Sequence, residues 1–150
     1  MAHSMDIPET NAFSPAPNGK MPPAVELEYL SRIVFLVVPA SQTPPWLEDH
    51  IADCFKSDVD NFPASATWEQ MVDMFRKVNK ADPHYDPQIL NVLVDLNEHG
   101  AHAEVFVLIQ ACGRPQYIIR HTIVRLRWRR RNGKWQLYHV LAIRAPNLFP

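Results

Sequence analysis

The sequence predicts an α+β domain in which three N-terminal helices pack on one face of a mainly antiparallel sheet. Three observations predict it. Apolar residues recur at helical spacing between residues 24 and 79. From Ile89 onward the period changes to alternation. Within residues 116–143, two long alternating runs are joined by Asn132-Gly133. That dipeptide is the strongest short-range hairpin signal, because both turn residues must sit at positive φ. Helices followed by strands, rather than interleaved with them, indicate α+β.

Residues 1–23 are rich in Pro, Ser, Asn and Ala and are expected to form a disordered arm. Its first residues, 1–4, have the look of a vector scar, so the natural start is expected at Met5. Residues 24–146 are expected to be one domain and 147–150 a tail. The first helix, residues 24–38, sets Leu27, Leu30, Val34 and Val37 on one side and is stopped by Pro39. Thr43-Pro44-Pro45 opens a second helix, since Pro suits a first turn. Its inward side would be Trp46, Leu47, Ile51, Cys54 and Phe55. Thr67 and Gln70 have capping-box spacing and open a third helix to about Asn79. Asp82-Pro-His-Tyr-Asp-Pro87 must be loop. Residues 89–97 and 103–111 are strands, and the long hairpin completes a four-stranded antiparallel meander.

A regular ladder around Asn132-Gly133 sets Trp128 opposite Leu137, Leu126 opposite His139 and Val124 opposite Leu141. One face then carries Arg120, Thr122, Val124, Leu126 and Trp128, with Trp135, Leu137, His139, Leu141 and Ile143. The other carries Arg125, Arg127, Arg129 and Arg131, with Lys134, Gln136 and Tyr138. The first face is apolar with a few polar groups set into it. The second is wet and basic.

At 150 residues and 47% hydrophobic, the chain is long and apolar enough to bury a real core. Residues 1–104 hold all 16 acids and 6 of the 15 bases; residues 105–150 hold the other 9 bases and no acid. A functional carboxylate must therefore come from the first two-thirds. Cys54 and Cys112 have neither disulfide-framework nor metal spacing and read as reduced thiols of a cytoplasmic protein. The longest apolar run, residues 33–40, is too short to span a bilayer. No metal or cofactor is expected.

Several local words resemble the NTF2-like superfamily, and within it the SnoaL-like, ketosteroid-isomerase-like or polyketide-cyclase-like branch. "RLRWRRRNGKWQLYHVLAIR" resembles the family's closing strand pair around a "dGkW" turn. "DCFKSDVDNF" resembles its "lyaeDvvf" segment, with Asp58 at the acidic position, and "HAEVFVLIQACGRPQ" its middle strand. The likeness covers about residues 24–146. It implies a cone, in which a curved sheet wraps helices around an apolar pocket lined by the apolar hairpin face, and it implies a homodimer formed through the sheet. The sequence departs from the enzyme subfamilies. It has no Asp-Arg-Asp set like the epoxide hydrolases, no last-strand carboxylate like the polyketide cyclases, and only part of the scytalone dehydratases' tyrosine–histidine set.

The residues that could carry chemistry follow from these placements. His139, mid-strand on the apolar face, suits a general acid or base; equally it suits a core histidine with one satisfied partner. Asp58 is the first choice of carboxylate, with Asp60 two residues on. Tyr29, on the first helix, could donate to a developing oxyanion or simply pack. Arg120 needs an anion if buried and none at a solvated edge. Catalysis is thus assigned to His139, Asp58, Tyr29 and Arg120. Thr122, Leu126, Trp128, Leu137, Leu141, Tyr85 and Phe55 would line the substrate. The function expected is a small cofactor-independent isomerase, cyclase or dehydratase acting on a hydrophobic, oxygenated polyketide- or terpenoid-like molecule. The alternative is a non-catalytic NTF2-like ligand-binding or dimerisation module. The arginine stripe admits an RNA or phosphate role, but nucleic acid is disfavoured by the lack of interleaved aromatics and by a pI near 6.6. No membrane partner is expected.

Overall fold

The computed structural model describes residues 21–37, 43–60, 62–82, 86–113 and 118–144. Helix α1 (Pro23–Val37) buries Leu27, Leu30, Ile33 and Val34 and rests on the sheet. On its other side Arg32 donates to Glu28 one turn earlier at 3.0 Å. Helix α2 (Trp68–Ala81) begins with the expected capping box: Thr67 accepts from the Gln70 N–H, and the Gln70 side chain accepts from the Thr67 N–H. Its buried side is Trp68, Met71 and Val72. Strands β1 (Ile51–Val59), β2 (Asp86–Leu96), β3 (His102–Gly113), β4 (Ile118–Arg131) and β5 (Lys134–Arg144) form one sheet in the order β1-β5-β4-β3-β2. Asn132 and Gly133 have φ of 53° and 73°, the two positive values that the hairpin turn requires.

Two expectations are corrected by this architecture. The second helix is only a 3-10 turn over Pro45–His50, and the residues after it form β1, which pairs in parallel with β5. Two α-helices and one 3-10 turn are therefore present among the described residues, and the sheet is mixed and five-stranded. Ile51, Cys54 and Phe55 fit helical spacing, but a short apolar run cannot separate helix from strand. Here the tertiary pairing decides. It buries Ala52, Phe55 and Ser57 and leaves Cys54 exposed. Phe55 meets Trp68 edge to face at 5.5 Å, and Ser57 exchanges backbone hydrogen bonds with Ala66.

The second correction concerns the hairpin's register. Trp128 faces Leu137 as expected, but the next pair is Arg127 with His139, then Leu126 with Val140 and Arg125 with Leu141. Tyr138 is an extra residue, a β-bulge that shifts every later residue of β5 to the opposite face. Val140 and Ala142 therefore enter the core, while His139, Leu141 and Ile143 turn outward beside Arg127, Arg125 and Ile123. A regular ladder would have put an imidazole against Leu126 in the core, where an unpaired polar group is costly.

The core lies between the inner face of the sheet and the helices. Trp128, Trp135, Leu126 and Leu137 are completely buried there with Leu27, Leu30, Val105 and Val107. The Trp128 indole N–H donates to the buried Ser31 hydroxyl of α1 at 3.1 Å, tying helix to sheet.

Candidate functional site

The outer face of the sheet, away from the helices, can be written as rows running across the strands. One row is Leu108, Ile123 and Ile143; the next is Leu93, Phe106, Arg125, Leu141 and Asp58. Then comes Asp95, Glu104, Arg127, His139 and Lys56, followed by His102, Arg129 and Gln136 near the hairpin turn. Beyond the first row, toward the open end, lie Gln88, Gln110 and His121, so the middle of the face is apolar and the turn end charged. Glu104 takes Arg127 at 3.0 Å and lies 3.8 Å from Arg125.

His139 and Asp58 do meet. The His139 Nε2 and the Asp58 Oδ2 are 3.0 Å apart, but on this outer face rather than in the core. A carboxylate only accepts, so Nε2 carries the donated proton, and in the neutral ring the lone pair lies on Nδ1. That Nδ1 is shut off from water and has no partner. The second Asp58 oxygen accepts from the Ser65 N–H at 3.0 Å. Ser65 reaches it because the Ser57–Ala66 bridge holds it beside β1, with Ser65 in the left-handed region at φ 53°. The Ser65 N–H and then His139 hold the Asp58 carboxyl below its usual range. As placed, the pair clasps β1 to β5.

The sign of the resulting pH dependence is fixed. A carboxyl whose pKa is lowered by folding contributes stability that is present above its ordinary value of 3.8 and is lost as pH falls through the lowered folded value. Asp58→Asn is therefore expected to cost stability at pH 7 and progressively less below pH 4. Urea denaturation of both proteins at pH 7, 4 and 3 checks this; a gap that widens on acidification contradicts it.

The other site residues are scattered. Tyr29 is half-buried on α1, and burial raises its phenol pKa, so it stays protonated at neutral pH. Arg120 and Thr122 are half-buried on the inner face, opposite Ala111 and Ile109. Trp128, Leu126, Leu137 and Phe55 are buried core. Leu141, expected on the apolar face, is on the outer one. Tyr85 lies outside the described residues. Among the described residues, no group of three His, Cys, Asp or Glu could hold a metal ion, and no helix is long and apolar enough to cross a membrane.

Sequence reasoning missed Ser65 and Ser31, which act through the fold alone. It also missed His50, whose Nδ1 donates to the Trp135 carbonyl at 2.8 Å. It missed the apolar middle of the outer face as well. Leu93 and Ile123 were each within reach as alternating strand residues, but only the bulge at Tyr138 puts Ile143 beside them.

No family model matches the sequence, and no curated protein matches it. Solved structures do. A LinA-type hexachlorocyclohexane dehydrochlorinase from Novosphingobium barchaimii superposes with a TM-score of 0.63 at 13% identity, over 80% of this chain and 84% of that one. An NTF2-like protein of unknown function from Pseudomonas putida gives 0.62 at 14% identity, over 83% and 88%. An uncharacterised cystatin-like protein from Caulobacter vibrioides gives 0.61 at 13%, over 80% and 87%. Proteins named for isomerase and dehydratase activity share the architecture. At these identities the likeness concerns the fold, and on that ground the chain has the NTF2-like, cystatin-like fold.

Proposed function

We propose that this chain is an NTF2-like binding module that works as a homodimer through the outer face of its sheet. One observation carries the reading: large apolar side chains are exposed together on that face. Ile123 and Ile143 face each other across the ladder at 46% and 51% exposure, and Leu93 is 61% exposed. Single exposed apolar residues are ordinary; a contiguous group on one sheet face marks an interaction surface. The charged row beside it runs from Asp95 and Glu104 at one edge to Arg127, His139 and Lys56 at the other. A two-fold axis parallel to the strands lays the acidic end of that row on the basic end of its copy, so the face is complementary to itself. Meanwhile Trp128, Trp135, Leu126 and Leu137 fill the inner side near the turn.

Sedimentation equilibrium at micromolar concentration tests this. The wild type is expected to be a dimer. Ile123→Asp and Ile143→Asp are each expected to weaken association at least 100-fold while leaving the far-UV circular dichroism unchanged, because both side chains are already half in water. A monomeric wild type sinks the reading.

A second reading is favoured by the His139–Asp58 pair, since a carboxylate that orients an imidazole is a proton-transfer arrangement. The protein is then a cofactor-independent isomerase, cyclase or dehydratase of a hydrophobic, oxygenated polyketide- or terpenoid-like molecule. Tyr29 on α1 and Arg120 on the inner face lie across the sheet from this pair and take no part in that reaction. Under this reading His139→Ala abolishes turnover of such a substrate while leaving the oligomeric state unchanged; under the first it has no turnover to abolish.

A further inference from the structure

Beyond self-association, the turn end of the outer face has the makings of a separate ligand site. Arg125, Arg127 and Arg129 stand on it at every second position of β4. Among the described residues the only carboxylate paired with them is Glu104, engaged by Arg127 at 3.0 Å and lying 3.8 Å from Arg125. Among the described residues Arg129 has no acceptor. Its Nε is buried without a hydrogen-bond partner, as is that of Arg125, and its guanidinium lies over the Tyr138 ring, 5.9 Å from the centroid. In register with Arg129 are His102 on β3 and Gln136 on β5. Three side chains able to donate hydrogen bonds, from the two flanking strands, thus surround one guanidinium with no carboxylate of its own.

We infer that this cluster binds a phosphate monoester, with Arg129 as its centre and His102, Gln136 and Tyr138 around it. Three guanidiniums against one carboxylate leave two positive charges, and a phosphate monoester carries about −1.5 to −2 at neutral pH. Its three oxygens accept from a planar fork and from neighbouring side chains at once. A carboxylate would neutralise half of this charge. A nucleic-acid strand is the poorer fit, because the one aromatic ring beside Arg129 is occupied by the guanidinium itself and offers no platform for a base.

Inorganic phosphate is the probe. Thermal melts of the full chain are recorded with 0 to 10 mM phosphate at pH 7.5, with chloride holding the ionic strength constant. The wild type is expected to gain melting temperature along a saturable curve with a millimolar Kd. Arg129→Gln is expected to weaken that Kd at least tenfold. Arg129→Lys, which keeps the charge and loses the fork, is expected to weaken it severalfold. Arg131→Gln and Lys134→Gln, exposed cations at the same hairpin end, are expected to bind like the wild type. An equal rise in Arg129→Gln would be the general stabilisation that phosphate gives any protein, and it would overturn the site. So would a flat wild-type curve, or a loss of equal size in the Arg131 and Lys134 variants, which would mean diffuse charge attraction. Should Arg129→Gln not fold, Arg129→Lys alone decides, by the same comparison. Because self-association is read by sedimentation, failure of the phosphate site leaves the dimer reading standing, and the converse also holds.

Discussion

Trp128→Ala is expected to lower the unfolding free energy by about 3–5 kcal/mol. A domain of this size has about 5–15 kcal/mol in total, so the variant stands close to unfolding. The indole is completely buried between β3, β5 and α1. Truncation leaves a hole that rigid neighbours on three sides cannot close. It also strands the Ser31 hydroxyl, which is itself completely buried and whose lost partner costs about 1–3 kcal/mol more if no water enters. Ser31→Ala separates the two contributions: it removes the hydrogen bond while keeping the ring, and is expected to cost about 1 kcal/mol, or up to about 3 where the indole N–H stays unpaired. Urea denaturation of both variants checks the ordering. A Trp128→Ala variant as stable as Ser31→Ala would mean that the inner side is loosely filled and has room for a ligand, which would favour the pocket chemistry over the filled core.

Local chemistry was legible wherever it was self-contained. The Asn132-Gly133 turn, the Thr67–Gln70 capping box and the positions of the last four strands all depend on neighbours within a few residues, and the structure shows each of them, although β2 starts at Asp86, inside the segment expected to be loop. Strand β1 was not legible, because its partner lies some 80 residues away and its apolar spacing satisfies a helix equally well. The Tyr138 bulge left no mark either. Beyond it, one phase of β5 offers His139, Leu141 and Ile143, and the other offers Val140 and Ala142. Both phases are apolar enough for a core, so alternation cannot choose between them. The candidate site inherited that ambiguity. His139 and Asp58 were paired from sequence and lie 3.0 Å apart, yet they sit on the side of the sheet opposite to the expected one. What decided the side was a single extra residue.

That residue can be tested by charge placement in β5. Val140→Asp is expected to destabilise the fold by about 3–5 kcal/mol, the typical cost of a buried charge left without a partner, since Val140 is 1% exposed and faces Leu126. Leu141→Asp is expected to cost no more than about 1 kcal/mol. Its new carboxylate would face Arg125 on one side, which is favourable, and Asp58 on the other, which is not. A ladder without the bulge reverses the order, because residues 139 and 141 would then be the buried ones and residue 140 the exposed one. The two unfolding curves therefore report which side of the sheet His139 occupies. If Leu141→Asp proved the more damaging, the histidine would face the core against Leu126. The apolar outer face would then lose Ile143 and with it the basis for a dimer, and His139 would be free to serve chemistry inside the cone. If Val140→Asp proves the more damaging, the imidazole belongs to the outer face. Any reaction it takes part in must then happen on the surface that the proposed dimer would cover.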